Sequence, residues 1–357
     1  MQAILVLEDG TTFLGNAFGS PGEFFGEVVF NTCMTGYQEI ITNPSYNGQI
    51  IVMTYPLIGN YGFNNDDNES HKPYIQGLIV KELCDHPSNW RATMNADHYM
   101  KNHHILGIKD IDTRSLAQHL RDNGNMFGMI STECFVTKIL INRIKEKSQI
   151  KRKLVYEVST KNAYRLQGEG KKVAVLDLGI RQSILNALHI RNCDIHVLPC
   201  TSTPEEILAI NPDGILISGG PGNPKDVPEI TENIKKFIGI KPILGLGLGH
   251  QLLGLALGGD TFKLPFGHHG ANYPVKDITT GRVYITSQNH NYVLMENISD
   301  DIVITHYNIN DRTVEGFKHK KYPIISYQYY PDTVTGLDDS THILDHFMQI
   351  MEVTDHA

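Results

Sequence analysis

From Lys172 the chain alternates short, unbroken apolar runs with amphipathic stretches, and this repetition restricts the fold more than any other feature. Residues 173–178, 195–199, 214–218 and 242–246 are the apolar runs. Between them, residues 180–191, 204–210 and 227–238 carry apolar side chains at helical spacing, with Ile184, Leu185 and Leu188 on one face. A strand apolar at every position is buried on both sides, and strands alternating with helices build a parallel sheet covered on each face. The pattern therefore predicts a doubly wound α/β domain over 172–357, closed by a helix over 340–351 whose inner face is Ile343, Leu344, Phe347 and Met351.

The first part of the chain has a different texture. Residues 3–7, 27–30, 49–54 and 76–80 are β-like, punctuated by Gly, Asn and Pro, and an amphipathic segment covers 113–121. This predicts a smaller mixed α+β domain over 1–150. The polar, charged stretch that follows predicts a linker over 151–171. A net charge of −8 without a long basic run excludes the usual nucleic-acid and anionic-membrane binders. No run approaches the ~20 apolar residues of a membrane span. Five cysteines with no Cys-x-x-Cys pair suit a reducing, cytoplasmic setting and argue against structural zinc. The pairs His103-His104 and His268-His269 are no metal site by themselves, because neighbours on a strand point to opposite faces.

Ligands of open α/β sheets bind beyond the carboxyl ends of the strands, and three loops answer that description. The first is Ser218-Gly219-Gly220-Pro221-Gly222, whose glycines can turn N–H groups toward an anion. The second is residues 243–251, Ile-Leu-Gly-Leu-Gly-Leu-Gly-His-Gln, a strand, a sharp turn and a helix with Gly247 at the apex. Such elbows present a nucleophile at the end of a sheet. The alternating glycines do not form a dinucleotide fingerprint, since His250 falls where the third glycine belongs. The third loop is Gln328-Tyr329-Tyr330-Pro331-Asp332.

These loops, in this order, resemble those of the class I (triad) glutamine amidotransferases. The whole chain is similar to the family of small, glutamine-hydrolysing subunits of carbamoyl-phosphate synthetase. In the first domain the resemblance rests on Val29-Phe-Asn-Thr, Met34-Thr-Gly-Tyr-Gln-Glu, Asn43-Pro-Ser-Tyr, Thr54-Tyr-Pro-Leu-Ile-Gly-Asn-Tyr-Gly and Asp110-Ile-Asp-Thr-Arg. In the second it rests on Asn211-Pro-Asp-Gly, Leu248-Gly-His-Gln, Phe266-Gly-His-His-Gly-Ala-Asn and Ser287-Gln-Asn-His.

The resemblance implies a reaction in which a cysteine thiolate attacks glutamine, a histidine shuttles the proton and a glutamate orients that histidine. The ammonia passes to a large synthetase subunit, which uses ATP and Mg and which the resemblance implies is contacted by the first domain, 1–150; no cofactor and no metal are implied in this chain. The resemblance puts Gly247 at the nucleophile position, Tyr330 at the histidine position and Asp332 at the glutamate position. A phenol, with a reference pKa of about 10, is a poor shuttle at neutral pH. Gly219, Tyr273 and Asn291 also depart from the family pattern. The glutamine contacts carry over as Ser45, Gly220, Gly222, Leu248, Gln251 and Asn289, with Asn291 and Tyr292 altered.

The implied function is a carbamoyl-phosphate synthetase small subunit, in arginine or pyrimidine biosynthesis, with a silent glutaminase and a large-subunit partner. A non-catalytic glutamine- or amide-binding or regulatory module stays open as an alternative, as does an engineered inactive variant of a working glutaminase.

Overall fold

The computed structural model describes residues 1–331 and 342–354. The chain divides into two compact units, one of Met1–Arg152 with Pro265–His269, the other of Lys153–Leu264 with Gly270–Ala357.

In the first unit seven strands close into a barrel, a closure the sequence pattern does not announce. Their order is Gln2–Leu7, Thr12–Gly19, Leu106–Lys109, Gly77–Ile79, Gln49–Met53, Glu23–Asn31 and Met126–Ser131, which returns to the first. Four neighbours, from Leu106–Lys109 to Glu23–Asn31, run parallel, and the remaining pairings are antiparallel. Closure leaves no strand edge unpaired. The interior is filled by Leu5, Leu7, Val28, Ile50, Val52, Ile79, Leu106 and Ile130, and helix Thr113–Asn123 adds Leu116 and Leu120. That helix starts where the Asp112 carboxylate accepts the Ser115 N–H at 3.0 Å, a side-chain cap. The basic helix Thr137–Ser148 belongs to the same unit, because Leu140 and Ile144, four residues apart, bury against Ile4, Val6 and Met129.

The stretch over 151–171 that reads as a linker has secondary structure of its own. It contains the short helix Leu154–Val158 and the strand Tyr164–Leu166, which pairs antiparallel with Asp194–Pro199. An edge strand exposed to water is polar and reads like a loop. It is held by Arg165, whose guanidinium donates to both Asp194 oxygens at 2.7 and 2.9 Å. That fork keeps the Asp194 carboxyl below the usual carboxylate range.

The second unit is the α/β domain that the apolar runs predict. Five parallel strands lie in the order Asp194–Pro199, Lys172–Asp177, Gly214–Ile217, Ile243–Leu246 and Ile324–Tyr327. The antiparallel strands Val314–His319 and Ile302–Asn308 extend the sheet toward Thr261–Asp277 and Val283–Leu294. Successive residues of one strand serve opposite faces. Ala174 and Leu176 join a core with Ile207, Ile230, Ile234 and Leu252. Val173 and Val175 join the other, with Ile184, Leu188, Leu344 and Phe347. The helix expected over 340–351 is His342–Thr354, and Ile343, Leu344, Phe347 and Met351 are its buried face. Among the described residues no helix is long and apolar enough to cross a membrane. Strand Lys172–Asp177 has a later strand on each side, so the winding direction reverses there. The loops predicted to carry the site leave the carboxyl ends of the strands on one side of this switch.

Candidate functional site

The elbow at Gly247 is built as the sequence predicts and is stitched into its surroundings. Gly247 has φ 54° and ψ −113° and opens helix Leu248–Ala256. Its N–H donates to the Tyr327 carbonyl at 3.0 Å, and its own carbonyl accepts from the Gln251 N–H at 3.2 Å. The Gly249 N–H donates to the Ser218 carbonyl at 3.0 Å, tying the elbow to the glycine loop. The buried Ser218 hydroxyl accepts the Leu178 N–H and donates to the Gly219 carbonyl, both at 2.9 Å. Four strand ends are thereby held together by hydrogen bonds that need no particular side chain at the apex.

What fills the apex comes from the third loop. A Cβ added to Gly247 would lie 2.6 Å from the Tyr330 hydroxyl oxygen and 3.0 Å from its Cζ. A Cβ added to Gly219 would lie 2.6 Å from Tyr330 Cε1 and 2.8 Å from Cζ. The phenol therefore occupies the volume that side chains at both positions would need. Tyr330 is 2% exposed. Its N–H donates to the Ser287 carbonyl at 3.3 Å, and the Arg181 guanidinium carbon lies 5.3 Å from its ring centre. Three departures that look independent along the chain, at Gly219, Gly247 and Tyr330, are one packing arrangement in space.

Arg181 is the residue that sequence reasoning missed. It precedes helix Gln182–Ile190 and is buried, so its charge lies against the aromatic face, a favourable desolvated pairing. The available signal was a lone cation at the start of a helix whose next turns are apolar.

Of the positions predicted to touch glutamine, the structure joins Gln251 and Tyr292 directly. The Gln251 amide donates to the Tyr292 carbonyl at 2.6 Å and to Gln328 Oε1 at 3.0 Å. Asn289 and Asn291 are buried on strand Val283–Leu294, and Leu248 is buried in the first turn after the apex. Gly220 lies against the Leu178 carbonyl and the Leu248 side chain, and Gly222 adopts φ +92° beside Leu154. Ser45 belongs to the barrel unit, on the turn Pro44–Tyr46, where its N–H donates to Asn43 Oδ1 at 3.0 Å. Asp332 lies outside the described residues.

Burial shifts three titratable groups of this unit away from the charge states that proton transfer or thiolate attack would use. His250 is fully buried, its Nδ1 is 2.8 Å from the Ser326 hydroxyl, and burial lowers its pKa to about 3. It is uncharged at neutral pH and cannot act as a shuttle poised near 7. Burial pushes the Cys193 thiol up to about 11 and also raises that of Cys200. Cys200 follows strand Asp194–Pro199, three strand positions from Ile243–Leu246, hence about 14 Å away at the usual strand spacing. The elbow keeps a helix N-terminus, whose partial positive charge favours an oxyanion, and its apex residue, Gly247, has no side chain.

Comparison with known proteins gives concordant matches. Residues 5–130 match the family "Carbamoyl-phosphate synthase small chain, CPSase domain", and residues 174–350 match "Glutamine amidotransferase class-I". The chain is 47% identical over 355 residues to the carbamoyl phosphate synthase pyrimidine-specific small chain of Bacillus subtilis, covering 99% of this chain and 97% of that one. It is 49% identical over 349 residues to the carbamoyl phosphate synthase small chain of Clostridium perfringens, covering 98% and 99%. The corresponding chain of Listeria monocytogenes is 48% identical over 352 residues, covering 98% and 97%.

Proposed function

The chain belongs to the carbamoyl-phosphate synthase small-chain family, and from that premise we propose that it is a small subunit whose glutaminase centre is closed by its own side chains. It would serve a large synthetase subunit without hydrolysing glutamine. The observation that carries this reading is the Tyr330 phenol in the space of the missing nucleophile, accommodated by glycine at both 247 and 219. In the family reaction the thiolate adds to the glutamine carbonyl, ammonia leaves with a proton from the imidazole, and water releases glutamate from the thioester. Position 247 brings no sulfur to form the thioester, and position 330 no imidazole to protonate the leaving amine. Members of such a triad act as a unit, and losing the nucleophile alone costs on the order of 10⁶ in kcat.

Mutual fit also speaks against a single designed replacement at the apex. Removing a cysteine side chain by design would leave a histidine and an asparagine beside an empty volume. In this chain the volume is filled.

The test is glutamate release from glutamine by the purified chain, alone and with its cognate large synthetase chain. The expected rate equals the no-protein control in both cases, while carbamoyl phosphate still forms when ammonia is supplied. Glutamate appearing well above the control would overturn the proposal.

A further inference from the structure

Away from the elbow, the second unit holds a cavity of about 370 Å³ that three histidines line together. Its floor is one row across four neighbouring strands. Asp277 is paired with His306, His306 with Gly316, and Gly316 with Tyr327. Residues opposite one another on paired strands share a face, so Asp277, His306 and Tyr327 stand on the same side of the sheet. Gly316 makes room between them, since a Cβ there would lie 3.0 Å from His306 Nδ1. The His306 and Tyr327 rings meet edge to face across it, 5.2 Å between centres. The closing helix His342–Thr354 forms the other wall and contributes His342 and His346. Four residues apart, these two are neighbours on one helix face.

The groups around the cavity are prepared for a cation. The Tyr327 hydroxyl lies 3.2 Å from His346 Nδ1, a contact that orients the ring and leaves Nε2 for an ion. His306 is 5% exposed; its Nδ1 lies 2.9 Å from the Thr305 hydroxyl, and its Nε2 has no hydrogen-bond partner among the described residues. A buried polar atom left unpaired is costly and calls for a water or an ion beside it. Burial lowers the pKa of His306 to about 4 and also lowers that of His346, so both imidazoles are neutral at pH 7, the form that binds metals. Burial opposes the charge on Asp277, but the Thr280 hydroxyl at 2.6 Å and the Thr279 N–H at 2.8 Å hold its carboxyl below the usual range. That negative charge offsets Lys318, which is exposed on the rim, while Asp345 is engaged by Arg191 at 2.7 Å.

Two imidazoles with a carboxylate nearby suit borderline ions such as Zn²⁺, Co²⁺ or Ni²⁺, whereas Mg²⁺ and Ca²⁺ seek shells of oxygen. The same histidine spacing holds zinc in His-Glu-x-x-His helices. Here Ile343 stands in place of the catalytic glutamate, so the arrangement suits a structural ion. We propose that His342 and His346 chelate a borderline divalent metal ion such as Zn²⁺, with its water ligands facing His306 Nε2 and the Asp277 carboxylate. Bound there, the ion fastens the closing helix to strand Ile324–Tyr327, which continues toward Tyr330.

The experiment titrates the chelator-treated, full-length chain with Zn²⁺ by calorimetry and with Co²⁺ by visible absorption at neutral pH. The parent is compared with His342→Gln/His346→Gln and with His103→Asn/His104→Asn, the exposed pair of the first unit. The expected result is one equivalent of ion lost from the helix variant, or held at least about tenfold more weakly, and parent-like binding by the other variant. Zn²⁺ should raise the parent's unfolding midpoint, and Mg²⁺ at the same concentration should not. Because the glutamines also alter packing at the helix, the parent supplies a second readout. Its His342 and His346 imidazole NMR signals should move together in a single one-to-one step as Zn²⁺ is added. Parent-like stoichiometry and affinity in the helix variant, equal loss in both variants, NMR shifts confined to other histidines, or no binding by the parent each overturns the proposal. So does an equal rise of the midpoint with Mg²⁺.

Discussion

Replacing Gly247 by alanine measures how firmly the Tyr330 phenol holds the site. Two costs are expected. The first is backbone strain, since φ 54° with ψ −113° is unfavourable for an L-residue by about 1–3 kcal/mol. The second is overlap, since the new Cβ would lie 2.6 Å from the phenol oxygen and 3.0 Å from Cζ. The ring has little room to retreat, with Gly219 against one side and Arg181 over its face. Overpacking of this kind costs about 1–3 kcal/mol. On the parent both costs apply. On a Tyr330→His background the para-hydroxyl is gone and only the strain remains.

In a double-mutant cycle the strain cancels, which isolates the overlap. Gly247→Ala and Tyr330→His should couple by about 1–3 kcal/mol, the double variant being more stable than the two single effects predict. Urea unfolding of the four proteins gives the number directly. Additivity within about 0.5 kcal/mol would refute the claim that the phenol occupies the nucleophile's space. The same geometry orders the activities. Gly247→Cys alone should stay at the glutaminase background, because its Cβ meets the phenol. Gly247→Cys with Tyr330→His should release glutamate above background, having regained a thiol, an imidazole and the room for both.

Two further outcomes follow from buried titratable groups. His250 and His306 are buried, and burial lowers their pKa values to about 3 and about 4. The unfolded chain, with imidazoles near 6.5, binds protons that the folded chain refuses. Stability is therefore intact above about pH 6.5 and lost as pH falls toward the folded values, by about 1.4 kcal/mol per pH unit per histidine. Urea unfolding at pH 7 and pH 5 should show His250→Gln and His306→Gln each removing about 2 kcal/mol of that loss; an unchanged pH dependence in either would contradict the assignment. Cys33, Cys193 and Cys200 are buried and Cys84 and Cys134 half-buried. A thiol reagent at pH 7.5 should therefore modify Cys84 and Cys134 in the folded protein and reach Cys193 and Cys200 only on unfolding. Fast modification of Cys193 or Cys200 would reveal a reactive thiol that the elbow lacks.

Much of the second unit is determined locally and was legible in the sequence. Continuous apolar runs mark the central strands because a sheet covered on both faces buries every side chain, and the helical spacing of Ile343, Leu344, Phe347 and Met351 marks the face that packs. The elbow at Gly247 is equally local, a strand and a helix meeting at one residue of positive φ. The barrel closure and the edge strand Tyr164–Leu166 were not legible. Register and closure arise from pairings between residues far apart in sequence, and an exposed edge strand leaves no apolar pattern.

The same division holds for the site. Sequence alone determined which loops meet at the sheet's carboxyl edge and that no cysteine stands at the apex. Only the tertiary structure decided what the missing side chains mean, because the distance from Tyr330 to Gly219 and Gly247 is set by how three strands stack side by side. Across more than a hundred residues of chain, a larger ring and two absent side chains become one filled volume, with the buried Arg181 charge over it.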